Sequence, residues 1–317
     1  MDNLLNVQVA AKTLLAEGIA GFELVSATGS ALPAFEAGAH IDVHLPGGLI
    51  RQYSLFDLPA DDCYRIGVLR EPESRGGSAL LVDDIAVGDV LSISAPRNHF
   101  ALHPEEATSL LFAGGIGITP ILCMAQQLER DGRAFEMHYC GRTRSRMAFV
   151  DRLPGERFCV DVHADDGPPE QQLDARAAIG APAPDKHLYV CGPGGFMAHI
   201  LDTAMALGWD DEHLHREYFA ADPIDHSGDA AFEIEIQSTG QVVKVGAEQS
   251  AANALLDAGF DLPLSCEQGV CGTCMTKVLS GTPDHRDLYL TSEEHARNDC
   301  FMPCCSRAKT PRLLLDL

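Results

Sequence analysis

Cys266-Glu-Gln-Gly-Val-Cys271-Gly-Thr-Cys274 places three thiols in one short stretch, and Cys304 follows thirty positions after the third. The spacing is C-x4-C-x2-C with a distant fourth cysteine, the pattern that ligates a plant-type [2Fe–2S] cluster through four thiolates. A tight loop must bring three sulfurs to one side of such a cluster while backbone N–H groups aim at its sulfides. Gly269 and Gly272 permit that approach because they carry no Cβ. Two other readings stand beside it: a structural zinc site, which usually pairs two short C-x2-C knuckles, and buried inert cysteines. The neighbouring Cys304 and Cys305 leave the fourth ligand ambiguous; Cys304 is taken as the ligand and Cys305 as a packing residue. Cys63, Cys123, Cys140 and Cys159 read as ordinary core residues.

The chain around this loop has 317 residues, more than one hydrophobic core usually serves, so two or three domains are expected. Its 46 acidic residues outnumber 23 basic ones, and the formal charge of −23 argues against binding a nucleic-acid backbone. Met1 to Leu15 has no cationic stretch ahead of an apolar core and no small-residue cleavage site, so it does not read as a secretion signal and a cytoplasmic location is expected. The longest apolar run, Leu110 to Ala125, is broken by Gly114, Gly115, Gly117 and Pro120 and falls short of the roughly 20 residues of a membrane span. Eleven cysteines, an odd number, do not suggest a disulfide framework in that compartment.

Short strands dominate the first hundred residues: Val7 to Leu14, Gly21 to Ala27, His40 to Leu45, Arg51 to Phe56, Tyr64 to Leu69 and Val90 to Ala95. They are punctuated by Pro46, Gly47 and Gly48 and interrupted by a helix at Gly77 to Asp84, which predicts a small antiparallel β-barrel or sandwich. Strands and helices then alternate: Ser109 to Ala113, Pro120 to Arg130, Phe135 to Cys140, Arg157 to His163, His187 to Cys191 and Gly194 to Leu207. That order predicts an α/β domain with a parallel sheet. Ala221 to Asp229 reads as a linker. Beyond it lie a strand pair, Phe232 to Gln237 and Val242 to Val245, a helix from Ala251, and the cysteine loop. The expected division is 1–104, 105–222, a linker at 223–230, and an α+β module at 231–317.

Ser109-Leu-Leu-Phe-Ala-Gly114-Gly115-Ile-Gly117-Ile-Thr119-Pro120 is a hydrophobic strand running through a glycine turn into a helix. Such a junction lets a pyrophosphate approach backbone N–H groups at the positive end of the helix dipole. The pattern is not the G-x-G-x-x-G fingerprint, and a structural turn has the same composition. Cys191-Gly192-Pro193 ends a second strand, and two such ends can flank one ligand crevice. Cys191 is a candidate to pack on a nicotinamide ring, or a plain core cysteine. Arg142 and Arg144 follow the strand ending at Cys140; they suit the adenosine end and leave NADPH open beside NADH, or form a solvated basic turn.

On the strand Arg51-Gln-Tyr53-Ser54-Leu55, Arg51 and Tyr53 share one face and Ser54 takes the other. Together with Arg75-Gly76-Gly77-Ser78, Pro96-Arg97-Asn98-His99-Phe100, the Gly114 to Pro120 turn, Cys191-Gly-Pro193 and the C-terminal cysteine set, it resembles the phthalate dioxygenase reductase family across essentially the whole chain. The resemblance implies FMN, a nicotinamide domain of the ferredoxin-NADP reductase type, and a C-terminal plant-type ferredoxin domain. It implies that Arg51, Gly77 and Ser78 hold the FMN phosphate, that Tyr53 packs on the isoalloxazine and that Ser54 bonds near flavin N5. Phe219 would shield the flavin face, or be a plain core aromatic. Gly114, Gly115, Gly117, Thr119, Arg142, Cys191, Gly192 and Pro193 would serve the dinucleotide, with Cys266, Cys271, Cys274 and Cys304 as metal ligands.

A hydride delivers two electrons and a [2Fe–2S] cluster takes one, so flavin between them completes a relay. No side-chain acid or base is strictly required. The resemblance further implies a Rieske-type aromatic-ring oxygenase or O-demethylase as acceptor, met transiently by a monomeric reductase. Other acceptors, a cytochrome P450 or a quaternary-amine monooxygenase, would need the same modules. A non-catalytic zinc-binding protein is the reading from a different class.

Overall fold

The computed structural model describes residues 4–59, 63–72, 76–103, 107–153, 159–221 and 224–317. Arg75, Arg157, Asp222 and Pro223, all used in the sequence reading, lie outside the described residues. The chain forms two compact units, Met1–Phe219 and Ala220–Leu317.

The first unit opens with β1 (Leu5–Ala16), β2 (Ile19–Ser26), β3 (Ala39–Leu45), β4 (Leu49–Ser54) and β5 (Cys63–Leu69). Helix α1 (Gly77–Asp83) precedes β6 (Val90–Ile93) and the short β7 (Arg97–Asn98). The strands pair antiparallel in the order β4-β3-β6-β1-β2-β5, with β7 also on β3. Period-two alternation turns Val7, Phe22, Ile41, Ile66 and Ile93 inward to one buried cluster. The two outer strands approach through the single bridge of Leu55 with Ile66 and the Phe56 N–H to Arg65 carbonyl bond (3.1 Å). Among the described residues, the sheet is thus a barrel that curls round without a continuous ladder along that seam.

Next come β8 (Thr108–Gly114), α2 (Ile118–Asp131), β9 (Phe135–Gly141), β10 (Cys159–Ala164), α3 (Ala175–Ile179), β11 (Lys186–Cys191), α4 (Gly194–Ala206) and β12 (Leu214–Glu217). Their sheet is parallel, ordered β10-β9-β8-β11-β12. Leu111 and Ala113 pack with α2, while Leu110 and Phe112 pack with α3 and α4. Alternate residues of one strand are therefore buried on both faces, as a doubly wound sheet requires. The strand order reverses direction between β8 and β11, the position at which such sheets bind ligands.

The second unit contains β13 (Phe232–Ile236), β14 (Val242–Val245), α5 (Ala251–Asp257), β15 (Thr276–Ser280), β16 (Pro283–Asp284), α6 (Ser292–Arg297), β17 (Cys300–Phe301), β18 (Arg307–Ala308) and β19 (Arg312–Leu315). A five-stranded sheet runs β14-β13-β19-β15-β17, and β16 pairs with β18. Phe232, Ile234, Leu255, Phe301 and Leu313 form its core. Asp229, inside the stretch read as linker, has a side chain only 1% exposed and binds Arg286 (2.5 Å). That bond holds its carboxyl at about 2. A linker composition here conceals an anchored ion pair.

One cysteine assignment needs correction. Cys159 is not a core residue: it is exposed on β10, an edge strand of the parallel sheet. Cys63 and Cys140 are half-buried, and Cys123 is fully buried on α2. Among the described residues, no helix is long and apolar enough to cross a membrane.

Candidate functional site

The cysteine loop joins α5 to β15. Its path depends on left-handed backbone at Glu267 (φ 55°), Gly269 (φ 74°) and Gly272 (φ 69°). A Cβ on Gly269 would stand 2.4 Å from Cys305 Sγ, and one on Gly272 would stand 2.3 Å from the Tyr289 ring. Both glycines are thus required by space as well as by conformation. The Gln268 N–H donates to Cys266 Sγ (3.3 Å), and the Val270 N–H also points at that sulfur.

The thiol of Cys266 interacts with those of Cys271 and Cys304, and Cys304 also meets Cys274. Hydrogen bonds from Cys271 and Cys304 draw the Cys266 thiol down, while the same contacts push Cys271 and Cys304 up. Four thiols this close cannot all ionise unless a cation compensates their repulsion. The all-sulfur donor set, the converging N–H groups and the glycine clearance fit a [2Fe–2S] cluster. Cys305 instead turns under the loop, buried, with its thiol on the Met302 carbonyl (3.7 Å).

In the parallel sheet, β8 enters the Gly115–Gly117 turn, where Gly115 has φ 54°, and α2 starts at once. Pro193 caps α4 after Cys191 and Gly192. The two turns touch backbone to backbone: a Cβ on Gly117 would lie 2.3 Å from the Cys191 carbonyl oxygen, and one on Gly192 would lie 2.9 Å from Gly114 Cα. This is a cradle at the switch point with the first N–H groups of a fourteen-residue helix at its wall, and it fits a pyrophosphate. The Thr119 hydroxyl faces inward and donates to the Ile116 carbonyl (3.1 Å). Arg142 is exposed beyond β9. Next to it, Arg144, Val162, Ala164, Asp166, Gly167 and Gln171 line a cleft of about 490 Å³.

Gly117→Ala should force the two turns apart. The expected cost is about 1–3 kcal/mol, as for other insertions into packed sites. A raised KM for the nicotinamide substrate should accompany a lowered Tm. Unchanged values of both would show that the cradle yields freely.

On β4, Arg51 lies over the start of α1, where a Cβ on Gly77 would come 2.5 Å from its Nε. Ser78 Oγ accepts the Glu71 N–H (3.2 Å). Tyr53 is half-buried, and burial raises its phenol well above the usual range. Ser54 is opposite His40 in the β3–β4 ladder and donates its hydroxyl to Glu217 Oε2 (3.0 Å).

Sequence reading passed over this glutamate. Glu217 ends β12 directly beside Cys191 at the end of β11. Its side chain is 14% exposed, and burial lifts its carboxyl to about 7 against the Ser54 hydrogen bond. Burial and the neighbouring Glu217 push the Cys191 thiol up. His40 Nδ1 is 3.7 Å from Glu217 Oε1, and neither His40 ring nitrogen has a hydrogen-bond partner among the described residues. Burial, then Arg97, hold His40 near 4 and therefore neutral.

Ser54, His40, Cys191 and Glu217 thus form one buried polar cluster with unused hydrogen-bonding capacity on His40, which fits the polar edge of a flavin. Phe219, two residues beyond Glu217, is 40% exposed and belongs to no core cluster. The structure brings Arg51 to Gly77, Ser54 to Cys191 through Glu217, and the four cysteines to one another. It leaves Arg142 and Phe219 outside these groupings.

A family model described as a 2Fe-2S iron-sulfur cluster binding domain matches residues 234–309. The chain is 55% identical to vanillate O-demethylase oxidoreductase of Pseudomonas sp. (strain HR199 / DSM 7063), over 99% of this chain and 100% of that protein. Among solved structures, phthalate dioxygenase reductase, described as a modular structure for electron transfer from pyridine nucleotides to [2Fe–2S], superposes with a TM-score of 0.75 at 37% identity. That match covers 99% of this chain and 98% of the other. An intact type IV self-sufficient cytochrome P450 monooxygenase gives a TM-score of 0.88 at 37% identity, over 99% of this chain and 41% of the longer one. Matched from end to end, with its cysteine loop inside the cluster-binding model, the chain belongs to the phthalate dioxygenase reductase family of iron–sulfur flavoprotein oxidoreductases.

Proposed function

We propose that this oxidoreductase is the NADH-dependent reductase of a two-component oxygenase and that its acceptor is a Rieske-type aromatic-ring oxygenase or O-demethylase. The observation that carries the reading is the convergence of four thiols in one unit of a chain whose other unit holds a nucleotide cradle. FMN held by Arg51, Gly77 and Ser78 would supply acceptance of a hydride from the nicotinamide and release of single electrons to a [2Fe–2S] cluster held by the four thiols.

The chain's own residues bind, orient and exclude water. Gly114, Gly115, Gly117, Gly192 and Pro193 admit the pyrophosphate, with Thr119 packing the turn and Arg142 near the adenosine. Arg51, Gly77 and Ser78 hold the FMN phosphate, Tyr53 lies on the ring system, and Phe219 covers it. Ser54 keeps its proton on the Glu217 side and can accept a hydrogen bond from the flavin edge through its oxygen, and Cys191 closes the nicotinamide side as an un-ionised thiol. Asp166, in the cleft with Arg144, favours a free ribose hydroxyl over a 2′-phosphate and hence NADH over NADPH. Cys266, Cys271, Cys274 and Cys304 hold the cluster. The proposed modules are 1–104, 105–222 and 231–317 with a connector at 223–230, in a monomeric cytoplasmic protein.

The test is product formation by a candidate Rieske oxygenase supplied with NADH and the purified chain. Dye reduction by NADH without delivery to any such oxygenase would overturn the acceptor assignment. The length of chain shared with the self-sufficient P450 supports a second reading, a P450 acceptor, and substrate turnover by a P450 under the same conditions would establish it. Arg51→Ala should weaken FMN retention at least about tenfold, the scale of losing a charge-assisted hydrogen bond. Full flavin occupancy after dialysis of the variant would remove the phosphate role.

A further inference from the structure

Beside the cysteine loop, the second unit carries another donor set that contains no sulfur. His285 and Asp287 follow β16, and His295 lies on α6. His285 Nδ1 stands 3.8 Å from Asp287 Oδ1, and His295 Nε2 stands 3.2 Å from Asp287 Oδ2. One ligand atom from each of the three falls within 4.8 Å of the others. The two rings face each other at 4.4 Å between centroids and 23° between planes.

A hydrogen bond from His295 to Asp287 accounts for half of this arrangement. It leaves His285 unexplained: the side chain is only 7% exposed, yet neither ring nitrogen has a hydrogen-bond partner among the described residues. The Asn298 side chain approaches that ring closely enough to favour its protonated form, but outside hydrogen-bond geometry; its amide N–H donates to the Ala296 carbonyl (3.0 Å). Burying a polar group without a partner is costly.

We propose that His285, Asp287 and His295 form a site for a divalent transition metal of the zinc class, separate from the four thiols. Bonds of about 2.0–2.1 Å in tetrahedral geometry put neighbouring ligand atoms about 3.4 Å apart, and one donor atom from each residue lies within 4.8 Å of the others, so small side-chain rotations close the set. Two imidazoles and one carboxylate, with a water completing the shell, suit zinc rather than magnesium or calcium.

The scaffold holds each donor. The fully buried Asp287 carboxylate accepts the Leu290 N–H (2.9 Å) and meets the Ser306 hydroxyl (3.4 Å), which fixes its orientation. Helix α6 begins with a capping box between Thr291 and Glu294, which sets His295 one residue further on. Burial lowers the affinity of His285 for a proton and keeps it in the neutral, ligating form. Arg286, the intervening cation, is turned away onto Asp229 and Asp284. The site also braces the cysteine loop, because the Leu288 N–H donates to the Gly269 carbonyl (3.0 Å).

The test is calorimetric titration of the holoprotein with zinc chloride in a non-coordinating buffer, with the visible spectrum followed throughout. One equivalent should bind with the spectrum unchanged, and His295→Ala should weaken binding at least about tenfold while retaining iron. His213→Ala, in the exposed Asp210–Glu212–His213 group, should leave the titration unaltered. If His295→Ala fails to retain iron, His285→Gln probes the same donors from the other side. The proposal is overturned if no equivalent binds, if an iron-replete variant binds as before, or if zinc uptake bleaches the spectrum in proportion.

Discussion

Cys271→Ser should yield protein without iron or acid-labile sulfide that still reduces an artificial dye with NADH. Cys271 is buried, 6% exposed, and its thiol sits against Cys266 and Thr273. Serine fits the space but offers a hard oxygen that stays protonated where iron–sulfur chemistry needs a soft thiolate. Delivery to an oxygenase should fall more than about a hundredfold, beyond the usual cost of losing an outer-shell partner. Dye reduction should persist because the flavin and nicotinamide residues belong to the unit 1–219, which has its own buried cores. Iron and sulfide at wild-type levels in the variant would remove Cys271 from the ligand set. Loss of dye reduction together with the cluster would show that the units do not fold independently.

What the sequence made legible depended on how local each signal is. The cluster loop could be read from spacing because three of its donors and both essential glycines fall within nine residues. The long strands of the first unit and the strand–turn–helix at Gly114 to Pro120 announced themselves by periodicity and glycine placement. Strand β12 did not, since Leu214-His-Arg-Glu217 has one apolar residue and owes its place to pairing with β11. The two-residue strands β16, β17 and β18 are equally silent, because tertiary packing rather than propensity makes them. Glu217 escaped notice for a related reason: its bond to Ser54 spans 163 positions, and no window of sequence contains both. Cys159 was misplaced because composition does not tell an edge strand from a central one. The buried Asp229 looked like linker because acidic, proline- and glycine-containing stretches usually are.

Glu217→Gln should stabilise the protein at neutral and alkaline pH and change little in acid. Burial raises the Glu217 carboxyl from its ordinary 4.5 to about 7, so the folded chain binds this proton more tightly than the unfolded chain does. Below about pH 4.5 both states are protonated and the group exerts no pH-dependent penalty. Between about 4.5 and 7 the unfolded chain releases the proton first, and stability declines as pH rises; above about 7 both are ionised and the penalty is constant. A shift of this size corresponds to about 3 kcal/mol at its plateau. Glutamine keeps an oxygen to accept the Ser54 hydroxyl and never ionises, so the variant avoids the penalty without orphaning its donor. Melting of FMN-loaded wild type and variant across pH 4.5 to 8.5 should therefore give curves that coincide in acid and separate progressively towards pH 7. A gap that is constant across the range, or that opens towards acid, would mean that Glu217 is ionised throughout and that the cluster with Ser54, His40 and Cys191 is solvated.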